Sequence, residues 1–420
     1  MPECDGRRLS GVRICIVSDI DVATVALGSS EYCAQVARML GDAGAAVELL
    51  LLGVHRPGVV RVPVGTLDRY RRDYAAIVVR GAWRIGGHLY STDWRRWRER
   101  LARAFRKRGA ATRGWLSPPD PRALAWAARR LRAHPADLLI ANYFNVVGLF
   151  DRLDPSPPTA LLMHDVVALR AASFAEAGRE TDFDMAIVEE EARALARPDL
   201  CIAIKEAEAA FVRARAPHTR AVTVSMTIEA VAPATSVPPA PVALFIGGAF
   251  AANVEALRWL LDEVWPHVRA SLPEARLRVL GKVAGEPGLN WPDGAERVGF
   301  VDDVAAEYRT ARVALAPLLF GSGVKIKVVE ALGHGVPVVA TPCGAEGVEH
   351  APSAVLSVAD GAEAFAAAVI EALAREDQAE VRAAVRRFAG DHFARGPVGA
   401  RLVDEVAALL DEKAALPRTR

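Results

Sequence analysis

Short apolar runs bounded by turn residues alternate along this chain with stretches in which apolar positions return every three or four residues. The first pattern predicts buried strands and the second amphipathic helices. The predicted strands are Val12 to Val17, Ala46 to Leu52, Tyr74 to Val79, Asp137 to Asn142, Thr159 to Met163, Leu200 to Ile204 and Ala221 to Val224. A second series covers Val242 to Ile246, Arg276 to Leu280, Ala295 to Val298, Val313 to Pro317 and Val336 to Thr341. Helical periodicity between them covers Glu31 to Gly44, Asn253 to Leu272 and Val304 to Thr310, and the last 60 or so residues, where Val403, Val406, Ala407 and Leu410 share a face. Strands alternating with helices predict an α/β chain of doubly wound parallel sheets. Residues 229–241, EAVAPATSVPPAP, read as a Pro-rich linker between a first domain (1–228) and a second (242–395); 396–420 form a terminal helix.

The stretch Leu319 to Gly347, LFGSGVKIKVVEALGHGVPVVATPCGAEG, is organised to hold something negative. Gly321 and Gly323 let the backbone approach a ligand closely, Ser322 takes the place of an N-cap, and about three turns of helix follow, closed by Gly335. The free N–H groups of Gly321 to Val324 and the helix dipole suit a phosphate. Helical spacing puts Gly323, Lys327, Glu330 and His334 on one polar stripe. Glu330 lies on the order of 10 Å along the axis from Gly323, the reach from a diphosphate to its ribose. Lys327 is thus a candidate partner of phosphate and Glu330 of ribose hydroxyls; the simpler reading is a surface ion pair.

These residues, as G-S-G-V-K-I-K-V-V-E-A-L-x-x-G-V-P-V-V-A-T-P-x-G-A-E-G, resemble the donor-site motif of retaining glycosyltransferases of family 4. The resemblance extends back to about Pro241 through ALFIGG, NVEALRWLLDEVWP and PEARLRVLGK, and is faint in the N-terminal half. It implies the GT-B fold, two Rossmann-like domains facing a cleft, with the terminal helix crossing back to the first domain. It also implies transfer of a sugar from a nucleotide-diphosphate sugar with retention, without a metal and with no cofactor. Glu330 matches the second Glu of the family's E-x7-E pattern, and Gly323 the glycine beside the diphosphate. Two departures stand out. Ser322 occupies the place of the first Glu, and the first loop of the second domain, Gly247-Gly248-Ala249-Phe250-Ala251-Ala252-Asn253, carries no cation where many members have Arg and Lys. Lys327, with Lys325 second, is the basic partner left, as in a branch of the family with the form G-x-G-x-K-x-K-x-x-E-A.

In the first domain, ligands of a parallel sheet gather at the carboxyl ends of the strands, which singles out Asp19, the Gly28 loop, Asn142 and the pair His164-Asp165. The family often has a histidine in this domain near the donor sugar, and His164 matches that loosely. No G-x-G-x-x-G accompanies the first strand, which argues against a dinucleotide site. Thr181-Asp182-Phe183-Asp184 contains a D-x-D, but it leads into a helix bearing Glu189, Glu190 and Glu191, so a solvated acidic face is expected rather than a metal site.

A composition of 52% hydrophobic and 25% charged residues over 420 positions is that of a globular protein of two or three domains. The net charge of +1 conceals a division: residues 1–228 hold 33 Lys+Arg against 26 Asp+Glu, and the remainder 19 against 25. Five cysteines without C-x-x-C spacing suggest reduced core thiols and a cytoplasmic setting. No apolar run reaches the roughly 18 residues needed to span a bilayer. Between Trp94 and Arg108, eight Lys/Arg face a single acid, Glu99, while Trp94, Trp97, Leu101 and Phe105 recur at helical spacing. Residues 94–108 therefore suggest peripheral contact with an anionic membrane, against the alternative that the aromatics are buried in their own domain; nucleic acid is not expected.

The combined expectation is a retaining, metal-independent glycosyltransferase with Lys327 and His164 as catalytic residues. Its nucleotide-sugar donor would lie on Gly321, Ser322, Gly323, Val324, Lys325, Glu330, Gly247 and Gly248. The acceptor, unidentified, would meet Asp19, Gly28 and Asn142. The alternatives are a nucleotide-sugar epimerase and a non-catalytic nucleotide-sugar-binding partner subunit.

Overall fold

The computed structural model describes residues 8–19, 28–53, 60–94, 97–98, 100–101, 119–181, 183, 185–228 and 240–415. The Pro-rich segment, most of the basic Trp-containing stretch, and Asp182 and Asp184 of the D-x-D lie outside the described residues. The chain clusters into two compact units: Met1–Ala168, Asp182–Val224 and Gly399–Arg420 form the first, and Leu169–Thr181 with Ser225–Val398 the second. Sequence reasoning placed 169–181 in the first domain, but its contacts are with the second unit.

The strands of the first unit are β1 (Arg13–Ser18), β2 (Ala46–Leu51), β3 (Arg61–Pro63), β4 (Ala76–Val79), β5 (Ala82–Ile85), β6 (His88–Ser91), β7 (Leu138–Asn142), β8 (Thr159–Leu162), β9 (Leu200–Ala203) and β10 (Arg220–Thr223). Seven of them make one parallel sheet in the order β10-β9-β8-β7-β1-β2-β4. Residues of β7, β8 and β9 are all buried, as expected where helices cover both faces. Successive strands leave β1 in opposite directions, so the topological switch point lies between β1 and β7, at Ser18 and Asn142. A second sheet, antiparallel β3-β6-β5, was not anticipated.

The second unit contains β11 (Val242–Ile246), β12 (Arg276–Leu280), β13 (Ala295–Gly299), β14 (Val313–Ala316), β15 (Val338–Ala340) and β16 (Leu356–Val358). They form a parallel sheet ordered β13-β12-β11-β14-β15-β16, with the switch point between β11 and β14. Leu257, Leu261, Trp265, Val268 and Phe365 pack on one side of this sheet, and Val328, Leu332, Val385 and Phe393 on the other. The helix expected from Asn253 to Leu272 is interrupted. Ala251–Trp259 passes into a wide π turn at Leu260–Val264 and resumes as Trp265–Ser271. Pro266, lacking an N–H, cannot extend the ordinary helical ladder. The terminal helix Arg395–Ala415 joins the first unit from Gly399 onward, burying Leu402, Val406 and Leu409. Lys413 there bonds Asp199 at 2.6 Å, and Arg220 bonds Glu412 at 3.0 Å.

One expected solvated residue is buried. Glu191, 2% exposed, accepts the backbone N–H groups of Val167 (2.9 Å) and Ala168 (3.2 Å) and so caps the helix Val167–Glu176. A carboxylate buried against two amide donors at a helix start is stabilised by charge-assisted bonds that its sequence context, a run of three Glu, does not announce.

Candidate functional site

At the switch point of the second sheet, the chain leaving β14 runs through 317–325 as a loop before the helix Ile326–Gly333 begins. Gly321 (φ 133°) and Gly323 (φ 80°) occupy backbone regions that L-residues avoid, so both glycines are needed for the turn itself. The helix starts later than expected because Lys325 is still extended at φ −81°, ψ 92°, and it is Lys325, not Ser322, that stands at the N-cap, without a side-chain cap. Ser322 accepts a hydrogen bond from Arg170 Nε at 3.1 Å instead. Gly323 and Val324 thus precede the helix rather than lie on its polar stripe. The helix does end as predicted, with Gly335 at φ 71° and the Val336 N–H returning to Ala331 O at 2.9 Å.

The late start separates the two lysines. Lys325 turns inward, 7% exposed, its ammonium on Gly323 O at 3.0 Å and Glu346 at 3.4 Å. It braces the turn, so its charge is already met. Lys327 points the other way: Nζ donates to Asn253 Oδ1 at 2.8 Å and lies 4.6 Å from the ring centre of buried Phe245. Asn253 in turn donates to Gly248 O at 3.1 Å. The loop after β11, which lacks a cation, is thereby tied to the cation supplied from beyond β14. Among the described residues no carboxylate pairs with Lys327, so the surface ion pair with Glu330 is not formed. Burial, with the Lys325 charge adding to it and Cys343 opposing, lowers the Lys327 ammonium from its ordinary value to about 7.

Glu330 has an exposed surface, yet partial shielding of its carboxyl raises it above the usual carboxylate value, against a hydrogen bond from Tyr308. The same Tyr308 hydroxyl has Lys327 O as an alternative acceptor at 3.3 Å, and its ring stacks on His334, ring centres 4.7 Å apart. The backbone at this edge is crowded: a Cβ on Gly281 would stand 2.3 Å from Gly247 O, and one on Gly344 2.0 Å from Ala316 O. Gly247 and Gly248 lie in the Asn253 loop, where Gly248 O takes part in the contact just described. Sequence reasoning missed Asn253, Arg170 and Tyr308, and also Phe250, whose ring is 71% exposed at the loop following β11. Phe250 carries a signal of a kind, since it is a large apolar residue next to a glycine-containing turn.

The switch point of the first sheet holds a different arrangement. Asn142, wholly buried at the end of β7, donates from Nδ2 to Ser18 Oγ at the end of β1 (2.9 Å). That orientation leaves Oδ1 facing His164 Nε2 at 2.7 Å, so Nε2 carries the imidazole proton and Nδ1 the lone pair. Tyr143 stacks on the imidazole at 4.1 Å and Tyr32 meets it edge-on at 5.4 Å. Tyr143 is held at φ 72°, a costly conformation for a non-glycine residue, on the order of 1–3 kcal/mol, of the kind found where a side chain must be aimed. Although the residue is only half-buried by surface area, desolvation of the ring drives His164 down to about 3. His164 is a neutral hydrogen-bonding group at any ordinary pH. Asp19 follows β1 at the same edge, and Gly28 is the first residue of the helix Gly28–Asp42. A cavity of about 130 Å³ lies at the opposite, amino ends of β1 and β2; there Glu48 is balanced by Arg130 at 2.6 Å.

Among the described residues, no group of three or more His, Cys, Asp or Glu could hold a metal ion, and no helix is long and apolar enough to cross a membrane. Around the described part of the basic stretch, Trp94, Trp97 and Leu101 are 62%, 42% and 65% exposed rather than buried in the domain.

Residues 240–375 match the family model of the group 1 glycosyl transferases. No curated protein matches the chain. Sucrose-phosphate synthase from Thermosynechococcus elongatus superposes with a TM-score of 0.67 at 15% identity, over 96% of this chain and 100% of that one. HepE of Anabaena in complex with UDP gives 0.64 at 12% identity, over 94% and 100%. A glycosyltransferase from Rickettsia africae gives 0.63 at 9% identity, over 96% and 99%. The fold is that of the GT-B glycosyltransferases, with two Rossmann-like domains and a terminal helix returning to the first.

Proposed function

We propose that the protein is a retaining glycosyltransferase that takes a sugar from a nucleotide-diphosphate donor bound at the switch point of the second sheet. The observation that carries this reading is Lys327, an ammonium held against a neutral amide and an aromatic ring beside a glycine turn, with no carboxylate to meet its charge among the described residues. A diphosphate would supply that charge. The N–H groups of Ser322, Gly323 and Val324 and the start of the Ile326–Gly333 helix add partial positive charge at the same turn. Glu330, one turn beyond Lys327, is assigned to the ribose hydroxyls, with Tyr308 orienting its carboxyl. The match over residues 240–375 supports the same assignment, because it spans every one of these side chains.

The chemistry asked of the protein is stabilisation of the departing diphosphate. As the glycosidic bond breaks, negative charge grows on the leaving oxygens, and Lys327 with the preorganised N–H groups meets it in a partly desolvated setting. No carboxylate is assigned as nucleophile. His164, neutral and oriented by Asn142, is suited to hydrogen bonding rather than to proton transfer. The reading gives the diphosphate charge to side chain and backbone, so turnover is expected to persist in EDTA. Exposed Trp94, Trp97 and Leu101 beside a run of Arg support the further reading that the acceptor lies at an anionic membrane on the cytoplasmic side.

HepE is recorded with UDP and with UDP-glucose, which puts uridine nucleotides first in the test. Thermal shift and calorimetry with UDP, GDP, ADP, CMP and dTDP, and their sugar conjugates, are expected to show one diphosphate that stabilises the wild type. Lys327→Ala should abolish the response, and Glu330→Gln should weaken it by about tenfold, the worth of one hydrogen bond to a charged group. A nucleotide response unaffected by either substitution would remove the site. Binding with no transfer to any acceptor extract would leave a non-catalytic binding subunit; release of a changed sugar nucleotide from donor alone would indicate an epimerase. For the membrane reading, flotation with acidic liposomes should retain the wild type and release an Arg95/Arg98/Arg103→Glu variant.

A further inference from the structure

The helix Gln378–Phe393 carries Gln378, Arg382 and Arg386 at steps of four, so the three share one face, which meets the turns leading into β14 and β15. Gln378 Nε2 donates to Ala372 O at 2.8 Å. Arg382, 2% exposed, gives Nη2 to Ala311 O. Half-buried Arg386 packs on Gly335 so closely that a Cβ there would stand 3.0 Å from its Cγ and Nη1. Arg312, just before β14, donates to Leu373 O at 2.7 Å. These residues lie at the amino edge of the second sheet, whereas the glycine turn follows β14 at the carboxyl edge.

The arginines of this stripe are short of acceptors and of negative charge. Nε and Nη1 of Arg382 and Nη1 of Arg386 are buried, and none has a hydrogen-bond partner among the described residues. No carboxylate among those residues pairs with either side chain; the charge that acts on Arg382 is that of Arg386, which adds to burial in lowering its guanidinium. The acids of the same helix are elsewhere. Glu380 and Asp391 stand on its opposite face, and Asp377, just before it, takes two bonds of 2.9 Å from Arg375. Three helices end here, Val304–Thr310, Ile326–Gly333 and Ala362–Ala374, with caps at Ala311, His334 and Arg375. Each end carries about half a negative charge, so together they offset about half of the three charges on Arg312, Arg382 and Arg386.

Water satisfies an N–H group but leaves the charge unmet, whereas an oxyanion answers both. Two guanidiniums one helical turn apart suit a tetrahedral dianion, which has oxygens for both forks. Gln378 Oε1 adds an acceptor that is buried without a donor, and it stands about 6 Å along the axis from Arg382.

We propose that Arg382 and Arg386 form a second anion site, at the amino edge of the second sheet, which takes the phosphate of a small phosphate monoester while a hydroxyl of the same molecule donates to Gln378. Arg386, half-buried, faces the entrance, and Arg382, one turn away, holds the group from within. The site is separate from the one assigned to the donor and does not rest on that reading.

The test is calorimetric titration with inorganic phosphate, glycerol 3-phosphate and glycerol, at constant ionic strength in chloride. Every variant carries Lys327→Ala, which removes the cation assigned to the donor diphosphate. That background protein is expected to bind both phosphates, glycerol 3-phosphate the more tightly, and not glycerol. Adding Arg386→Ala or Arg382→Met should weaken both by about tenfold or more, the worth of a charge-assisted bond. Adding Gln378→Leu should erase the advantage of glycerol 3-phosphate and leave inorganic phosphate as it was. Failure of the background protein to bind either phosphate would overturn the proposal. So would affinities that the arginine substitutions leave unchanged, whatever they do to the melting temperature, because the arginines would then serve only the helix ends. Glycerol 3-phosphate binding no better than inorganic phosphate would overturn the monoester and the role of Gln378. Should Arg382→Met fail to fold, Arg386→Ala, at a half-buried position, decides alone.

Discussion

The carboxyl edges of the two sheets start from the same topology and reach opposite electrostatic states. In the first unit, Ser18, Asn142 and His164 come from the ends of neighbouring strands and satisfy one another, a chain of neutral hydrogen bonds at 2.9 and 2.7 Å. In the second, Lys327 has an amide and a ring, Glu330 has a partly shielded carboxyl, and the pair do not meet. Burial depresses both His164 and Lys327, but with different consequences. A histidine near 3 has left the physiological range and is fixed as a neutral group. An ammonium near 7 sits where a bound anion decides its charge. One edge is closed by its own side chains, and the other is the one assigned to the proposed donor.

The sharpest way to break this comparison is through the charge that the first edge does conceal. Glu208 is wholly buried, neither carboxylate oxygen has a hydrogen bond of normal geometry, and desolvation raises it to about 8 against the pull of Lys205, with Asp165 and Glu191 adding to the rise. A carboxyl raised on folding contributes stability that is complete below its unfolded value and is lost as pH rises through about 8. Glu208→Gln keeps the shape and removes the titration. It is expected to leave stability unchanged near pH 4 and to raise it by on the order of 3 kcal/mol at pH 9, read from denaturant midpoints at both values. Identical pH profiles for wild type and variant would mean that Glu208 is solvated, and that the first edge is not the closed, neutral structure described here.

How far these edges were legible in the sequence follows the range of the contacts that make them. β7, β8 and β9 are continuous apolar runs, so local pattern sufficed, and Gly335 closed its helix as a lone glycine after a periodic run predicts. The start of that helix was misplaced because Ser322 has the right type and the right neighbours for an N-cap. Its hydroxyl is claimed by Arg170, 152 positions away, and no local rule carries such a contact. β3, β5, β6 and β16 have three or four residues each, too few for a period to show. Lys327 and Glu330 could be singled out together because one helix fixes their spacing. Asn253 and Tyr308, which orient them, stand on other elements and had no pattern of their own.

A smaller effect tests the second edge. The Lys327 ammonium is depressed by folding, so the empty protein loses stability as pH falls from the ordinary lysine range through about 7. A bound diphosphate favours the charged form, and binding above pH 7 must therefore take up a proton. Affinity for the nucleotide that the panel identifies is expected to be flat below about pH 7 and to fall by up to about tenfold per unit above it. Calorimetry in buffers of different ionisation enthalpy should show proton uptake approaching one at pH 8 in wild type. Uptake of zero in the wild type would mean that Lys327 is charged before the ligand arrives, and the contrast between the two edges would fail.

The smallest expected effect is none at all, and it concerns His164. With the imidazole driven to about 3 by desolvation, its Nε2 proton held on Asn142 and its face covered by Tyr143, no titration of this ring should occur between pH 5 and 8. Nitrogen-15 chemical shifts of the ring are expected to stay at the values of a neutral imidazole protonated at Nε2 across that range. Asn142→Asp places a carboxylate against Nε2, favours the imidazolium, and should bring a His164 titration back into view. If His164 already titrates near 6.5 in the wild type, the first edge holds a working acid or base rather than a fixed hydrogen-bonding group. Proton transfer would then return to the mechanism from the unit opposite in sequence to Lys327, and the division of labour between the two edges would have to be drawn the other way.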